Sequence, residues 1–559
     1  MAAVADHGQL PSRLRRPRMD PWATAVVSIA LLVALPVLVI AGYVFAPGDG
    51  VWAHLAQTVL LDYLRNSAIL VTGVGIGTAV IGVGTAWLTT MCTFPFRRVF
   101  ELALLLPLAV PAYIIAYTYT GMLDYAGPVQ STLRAWFGWA QGDYWFPDVR
   151  SIGGAITVLS LVLYPYVYLL ARAAFLEQSV CVLDVGRTLG LTPRRVFLRI
   201  ALPLARPAVV TGLSLVLMET LADYGTVQYF GISTFTTGIF RTWFGLYDAH
   251  AAAQLAAVLL GFVFVLVLLE RWSRRQRQYH HTSNRYQALP GYPLHGLRAA
   301  LAVLACLAPV LLGFVLPAIQ LGYWASDTYH QEAARGFWSL VGNSLALAAT
   351  ASVLALACAV LLAYGQRLRP TPWVRGAVRV AAMGYAIPGT VIAVGVIVPF
   401  AWLDNTIDAW ARDHLGISTG LVLSGTIFAM VFAYLVRFLA VSVNTVEAGL
   451  SKLGRSMDET AHSLGCSPSR VLRRVHLPLM RGSLLTAALL VFVDVMKELP
   501  ATLILRPFDF NTLAVRAYEL ATDEQLAAAA PAALAIGAAG LVPVILLSRS
   551  IAHSRPGHR

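Results

Sequence analysis

The stretch RTLGLTPRRVFLRIALP, Arg187 to Pro203, decides the fold, because a near copy of it, HSLGCSPSRVLRRVHLP, runs from His462 to Pro478. Each lies between segments apolar enough to cross a membrane, and each carries a Gly break, a Ser/Thr-Pro step and several arginines. Gly190 matches Gly465, Pro193 matches Pro468 and Pro203 matches Pro478, all 275 residues apart. The register runs well beyond the insert. Arg241 matches Arg516 at 275, while RNSAIL at 65–70 matches GNSLAL at 342–347 and Pro111 matches Pro388 at 277. The chain is therefore an internal duplication.

What is duplicated follows from composition. The 559 residues are 58% hydrophobic and 12% charged, too apolar for one water-soluble core. Twelve stretches are each long enough to span a hydrocarbon core of about 30 Å as a helix: about 22–46, 66–90, 99–123, 152–176, 207–225, 250–270, 297–323, 340–364, 374–402, 418–441, 483–500 and 525–547. The first, preceded by Arg13, Arg15, Arg16 and Arg18, exceeds a signal-peptide core and reads as a retained anchor. The net charge of +13 does not point to nucleic acid, because Lys and Arg concentrate in alternate loops. Loops such as 124–151 and 403–417 are acidic or near neutral. This asymmetry places both termini in the cytoplasm. The expected fold is all-α and polytopic, with about twelve transmembrane helices in two parallel six-helix repeats. Its parts are an N-terminal half, 1–270, a polar cytoplasmic linker, 271–294, and a C-terminal half, 295–559.

Within the repeated insert, Gly190 is expected to cap one helix in a left-handed conformation. Thr192 then serves as N-cap, with Pro193 in the first turn of the next helix. That helix puts Val196, Phe197 and Ile200 on one face and Arg194, Arg195 and Arg199 largely on another, until Pro203 and Pro207 end it. Gly465, Ser467, Pro468, Val471, Leu472, Val475 and Pro478 repeat the chemistry. Each copy reads as a cytoplasmic elbow, at about 177–206 and 446–482. An elbow lying on lipid headgroups is the alternative, but two copies with identical spacing favour docking to a twofold partner.

Here a resemblance becomes specific. The spacing from an acid through Gly to Leu-Pro resembles the "EAA" coupling motif of ATP-binding-cassette importer permeases. It is carried by Asp184, Gly190, Ile200, Leu202 and Pro203, and again by Glu459, Gly465, Val475, Leu477 and Pro478. The first copy reads DVG where the second reads ETA. METLADYGTVQYFG at 218–231, FTTGIFRTWFG at 235–245 and YWFPDVRSIGGA at 144–155 look like ferric-iron permeases. The resemblance implies a type I importer permease in a bacterial inner membrane. It further implies a substrate-binding protein outside and two copies of an ATPase subunit, the user of ATP and Mg, inside. No cofactor is expected on this chain and no catalysis by it. GVGIGTAVIGVGT at 73–85 lacks the Lys-Ser/Thr of a phosphate loop and reads as helix packing.

Glu219 and Asp223 fall four apart in the fifth span, and Asp494 and Glu498 repeat them in the eleventh. Acids at membrane depth face cavities or each other, so these four are expected to line the pathway and to ligate a hard cation transiently. A competing reading pairs them with Lys497, Arg241 or Arg516. Tyr113, Tyr117, Tyr119, Tyr164, Tyr166 and Tyr168 could form a phenolate set but are expected in an interfacial belt; the five scattered cysteines are expected to form no zinc site, and His280–His281, which could bind metal, are expected to belong to a solvated linker. Ferric iron leads as substrate, with thiamine or another small cation as the alternative; a gradient-driven carrier would use the same acids but has no need of elbows.

Overall fold

The computed structural model describes residues 20–47, 50–140, 142–177, 192–275 and 292–553. Asp184, Gly190, Cys181 and the His280–His281 pair lie outside the described residues. Regular structure among them is helical apart from a parallel pair of two-residue strands, β1 (Cys92–Thr93) and β2 (Tyr292–Pro293), which tacks the chain after the linker onto the first half. The first half contains α1 (Pro21–Gly42), α2 (Leu60–Met91), α3 (Arg97–Ala103), α4 (Ala112–Leu123), α5 (Ile152–Glu177), α6 (Pro193–Ala222), α7 (Gly225–Tyr229), α8 (Phe235–Phe240) and α9 (Ala249–Arg275). The second contains α10 (Leu297–Ala334), α11 (Phe337–Leu368), α12 (Pro372–Ala381), α13 (Gly389–Leu415), α14 (Ile427–Ser451), α15 (Arg455–Ser463), α16 (Pro468–Leu479), α17 (Arg481–Met496), α18 (Pro500–Leu505), α19 (Leu513–Thr522) and α20 (Leu526–His553). Among the described residues ten helices are long and apolar enough to span a membrane, or twelve if two bent pairs each count as one.

Small residues let these helices approach closely, and back-bonding to the helix carbonyls satisfies several buried threonine hydroxyls. Gly73, Gly77 and Gly82 of α2 face Ile156, Ser160 and Val167 of α5 so closely that an added Cβ would fall within 3 Å of them. Close backbone approach of this kind drives association where lipid is as apolar as the helices. Thr78, Thr85, Thr89 and Thr90 donate to carbonyls four residues earlier, at 2.7–2.9 Å. The paired RNSAIL and GNSLAL stretches have a common job: Asn66 donates to the Ser233 carbonyl at 2.9 Å and Asn343 to the Asn511 carbonyl at 3.2 Å, each holding the loop before α8 or α19.

Three expectations about helix ends need correction. Pro203 and Pro207 do not end the first elbow's helix, which continues through Ala222. A proline ring clashes with the carbonyl four residues back, and a five-residue π turn, Phe197–Ala201, widens the helix there. The same solution recurs as Leu472–His476 before Pro478 and Leu311–Val315 before Pro317. After Pro478 the chain nevertheless bends by 79° between α16 and α17. The third expected span, 99–123, is likewise broken by 91°. Finally, the polar segment from Arg271 remains helical through Arg275, because α9 overruns its apolar stretch.

The two sequence halves are interleaved. α1 crosses to pack on α11, α12 and α13 of the second half. Arg369 there hydrogen-bonds Asp20 and holds that carboxyl below its usual range. Reciprocally, the beginning of α10 packs on α2, α3 and α5, and α20 lies on residues 106–109. At that last contact a Cβ on Gly540 would sit 2.1 Å from the Ala109 carbonyl oxygen. Gly540→Leu is expected to cost about 1–3 kcal/mol or more through overpacking and to lower the thermal midpoint in detergent. Gly84→Leu, whose Cβ would meet nothing within 4 Å, is expected to leave it unchanged.

Candidate functional site

A cavity of about 130 Å³ opens at the junction of the halves, and all four sequence-selected acids line it. Glu219 comes from the last turn of α6 and Asp494 from the last turn of α17. Asp223 and Glu498, expected on the same helical faces, instead lie just past the helix ends: α6 stops at Ala222 and α17 at Met496. Each turns back to cap the next short helix. Asp223 Oδ1 accepts from the Thr226 and Val227 amides at 3.1 Å, and Glu498 Oε1 from the Ala501 amide at 2.9 Å. All four acids thus line the cavity, and one in each half, Asp223 or Glu498, also fastens the chain that re-enters beside it.

The cations beside these acids were partly missed from sequence. Lys497 pairs with Asp494 at 3.0 Å, not with its neighbour Glu498. Glu498 is bound by Arg437 of α14 at 2.6 Å, and both side chains are buried. Gly389 opens the space for that pair, since a Cβ there would fall 2.3 Å from an Arg437 nitrogen. Arg516 lies with Glu332 at 3.5 Å and Arg241 with the Ser233 hydroxyl at 3.2 Å, so neither serves the four acids. Asp223 and Glu219 have no ion pair among the described residues. Nor do three His, Cys, Asp or Glu side chains converge to hold a metal ion there; the acids make a charged lining, not a preformed chelate.

The expected tyrosine belt is absent at most of its positions. Tyr113, Tyr117, Tyr164 and Tyr168 are buried. Tyr113 and Tyr166 line the cavity with Tyr224 and Tyr385, and the Tyr113 hydroxyl has no hydrogen-bond partner among the described residues. Span-end position suggested lipid contact, but Tyr113 and Tyr117 follow the bend before α4, and Tyr164 and Tyr168 lie within α5, which packs on α2 and α6. Elsewhere between the halves, Arg150 of the first bridges to Glu524 of the second at 2.8 Å.

The second elbow is described in full. α15 ends at Ser463, and Gly465 just beyond it takes φ +79°, the left-handed cap expected of it. The Cys466 amide donates to the Ala461 carbonyl at 3.0 Å and the Gly465 amide to that of His462 at 2.9 Å. Ser467 opens α16 with extended backbone, as Thr192 opens α6, but neither hydroxyl caps its helix. Glu459 and Gly465 are exposed, Pro468, Val475 and Leu477 half-buried, and Pro478 exposed. In the first elbow, Pro193 and Pro203 are exposed while Ile200 and Leu202 are half-buried. Leu464, 78% exposed at the tip, offers an apolar contact.

Behind the tip the elbow is fastened to α11. Arg367 Nε donates to Asp458 at 2.8 Å and its other nitrogens to the Leu450 and Leu453 carbonyls. The Tyr364 hydroxyl donates to the Pro468 carbonyl at 2.8 Å, and buried His476 lies 2.6 Å from Asp458. The first half places Trp87, Thr90 and Ala201 at the positions equivalent to Tyr364, Arg367 and His476. There Trp87 packs on Phe175 and Phe197 instead. Among the described residues, the second elbow is held by a half-buried ion pair and the first by aromatic contact.

A duplicated, membrane-spanning helical chain with a cavity at the junction of its halves defines a transport permease. Residues 79–278 and 353–557 both match the model of the binding-protein-dependent transport system inner membrane component, and the chain belongs to that family. It is the permease of an ATP-binding-cassette importer and a multi-span component of a bacterial inner-membrane transport system. It is 27% identical over 546 residues, 95% of this chain and 99% of the relative, to the Fe(3+)-transport system permease protein FbpB 2 of Haemophilus influenzae. It is 23% identical to the putative ferric transport system permease protein FbpB 1 of the same organism, over 86% of this chain and 76% of that one. The molybdenum transport system permease protein ModB of Escherichia coli matches only 39% of this chain at 27% identity, across 93% of its own length.

Proposed function

We propose that this permease moves ferric iron, delivered by an extracytoplasmic binding protein, along the carboxylate-lined cavity into the cytoplasm. Cavity composition carries the reading: four acids face two cations at the junction of the halves, a lining suited to a hard cation and unsuited to an oxyanion. Relatives whose names specify ferric transport over most of both lengths support it. Two ATPase subunits engage the two elbows, at Asp184, Gly190, Pro193 and Glu459, Gly465, Pro468 and the helices that follow. Closure of the ATPases on ATP is transmitted through the elbows, and the halves rock about the cavity. Both termini face the cytoplasm.

The test is ATP-dependent uptake into proteoliposomes holding the permease, its ATPase and its binding protein, comparing ferric iron with thiamine and molybdate. Iron alone should accumulate. Glu219→Gln and Asp494→Asn are each expected to lower iron uptake at least about tenfold, a change of roughly 1.4 kcal/mol in barrier, with ATPase association intact. Unchanged iron uptake in both variants would remove the acids from the pathway, and uptake of thiamine instead would replace the substrate.

A further inference from the structure

The cavity breaks the pseudo-twofold in one respect. Its acids are duplicated, but its cations are not: the position equivalent to Arg437 is Val162 and that equivalent to Lys497 is Ala222, each 275 residues earlier. Val162 and Ala222 also line the cavity. The second half therefore pairs its acids one by one, Lys497 with Asp494 and Arg437 with Glu498, while Glu219 and Asp223 of the first half have no ion pair with a cation of their own half among the described residues.

The two cations are not equivalent. Arg437 is 9% exposed, bound to an acid that also caps α18, and seated in the space left by Gly389. It is part of the packing. Lys497 is 28% exposed, on a flexible four-carbon stem at the C-terminal cap of α17, where the helix dipole favours a positive charge. Its ammonium group can leave Asp494 without opening a hole in the core. The unpartnered Tyr113 hydroxyl, also in the lining, marks the same space as one built to receive a polar occupant.

We propose that Lys497 is a tethered counter-cation, a specificity-determining residue that holds the Asp494 carboxylate in competition with the transported cation. Four uncompensated carboxylates in a low-dielectric cavity would hold a trivalent ion too tightly to release it; a lysine supplied from one side only weakens that hold without abolishing attraction. The permease thus needs its asymmetry: Glu219 attracts the ion, and Lys497 returns to Asp494 as the ion leaves. This rests on the cavity's being a cation path.

The probe is Tb(III), a hard trivalent ion, titrated into the purified full chain in nanodiscs and read by luminescence sensitised through neighbouring aromatic rings. Lys497→Met is expected to bind it at least tenfold more tightly, Lys497→Arg about as the natural protein does, and Ala222→Lys, which adds the missing mirror-image cation, at least tenfold more weakly. Glu219→Gln tests the foundation and should weaken binding. Weakened binding in Glu219→Gln with natural affinity in Lys497→Met and Ala222→Lys overturns the counter-cation alone. Natural affinity in all of these overturns the cation path as well. If Lys497→Met and Lys497→Arg shift affinity equally, packing and not charge is responsible, and the proposal falls. Should Lys497→Met fail to fold, Ala222→Lys decides the matter by itself.

Discussion

A Gly465→Val permease is expected to let its partner ATPase hydrolyse ATP while importing about tenfold less substrate per ATP. Gly465 sits at φ +79°, and a Cβ built there meets nothing within 4 Å. Space is not the obstacle. A β-branched residue in the left-handed region costs about 1–3 kcal/mol, which α15 escapes by changing the angle at which it meets α16. The chain on either side of α15, held by Arg367 on the Leu450 and Leu453 carbonyls and by Tyr364 on the Pro468 carbonyl, stays where it is. The tip, carrying Glu459 and Leu464, moves. Gly465→Asn supplies the control, since asparagine tolerates this conformation, and should retain most of the coupling. The measurement is uptake divided by phosphate released in proteoliposomes. A natural ratio in the valine protein would mean that the elbow angle does not transmit the ATPase motion.

How far the sequence revealed this arrangement depended on whether a feature was duplicated. The elbow glycine was legible because Gly190 and Gly465 stand in register, and the acids because 219 and 494 do. Arg437 was missed for the converse reason: Val162 occupies the equivalent position, so comparison of the halves hides it. The helix breaks at Asp223 and Glu498 did leave a signal, namely Gly225 and Pro500 two residues beyond each acid, both punctuators of helices. The four-residue spacing of acids outweighed it and suggested one continuous face. Proline misled in the other direction. Pro203 looks like a stop, yet a π turn absorbs the clash by shifting hydrogen bonds one residue, and no pattern of residue types announces that choice. Interleaving was beyond reach too. That α1 packs on the opposite half rests on surfaces brought together only by tertiary structure, such as Val26 against Gly365 and Pro36 against Gly395.

Removing Arg437 alone is expected to be the most damaging single change to the membrane domain. Its Nη1 lies 2.6 Å from Glu498 Oε2, with side-chain exposures of 9% and 4%. Truncation to alanine leaves a carboxylate buried without its cation, which in other buried pairs costs about 3–5 kcal/mol. Glu498 cannot simply turn away, because its other oxygen holds the Ala501 amide at the start of α18. The damage should therefore spread to the chain re-entering beside the cavity. Arg437→Ala is expected to give little monodisperse protein in detergent and a markedly lower thermal midpoint. Arg437→Met combined with Glu498→Gln removes both charges, leaves an unbranched apolar side chain in place of the arginine stem and keeps an acceptor for the Ala501 amide. That double variant should recover most of the stability, because the penalty lies in the unpaired charge and not in the absence of a salt bridge. Equal losses in the single and double variants would show that guanidinium packing, not charge compensation, is what the site requires.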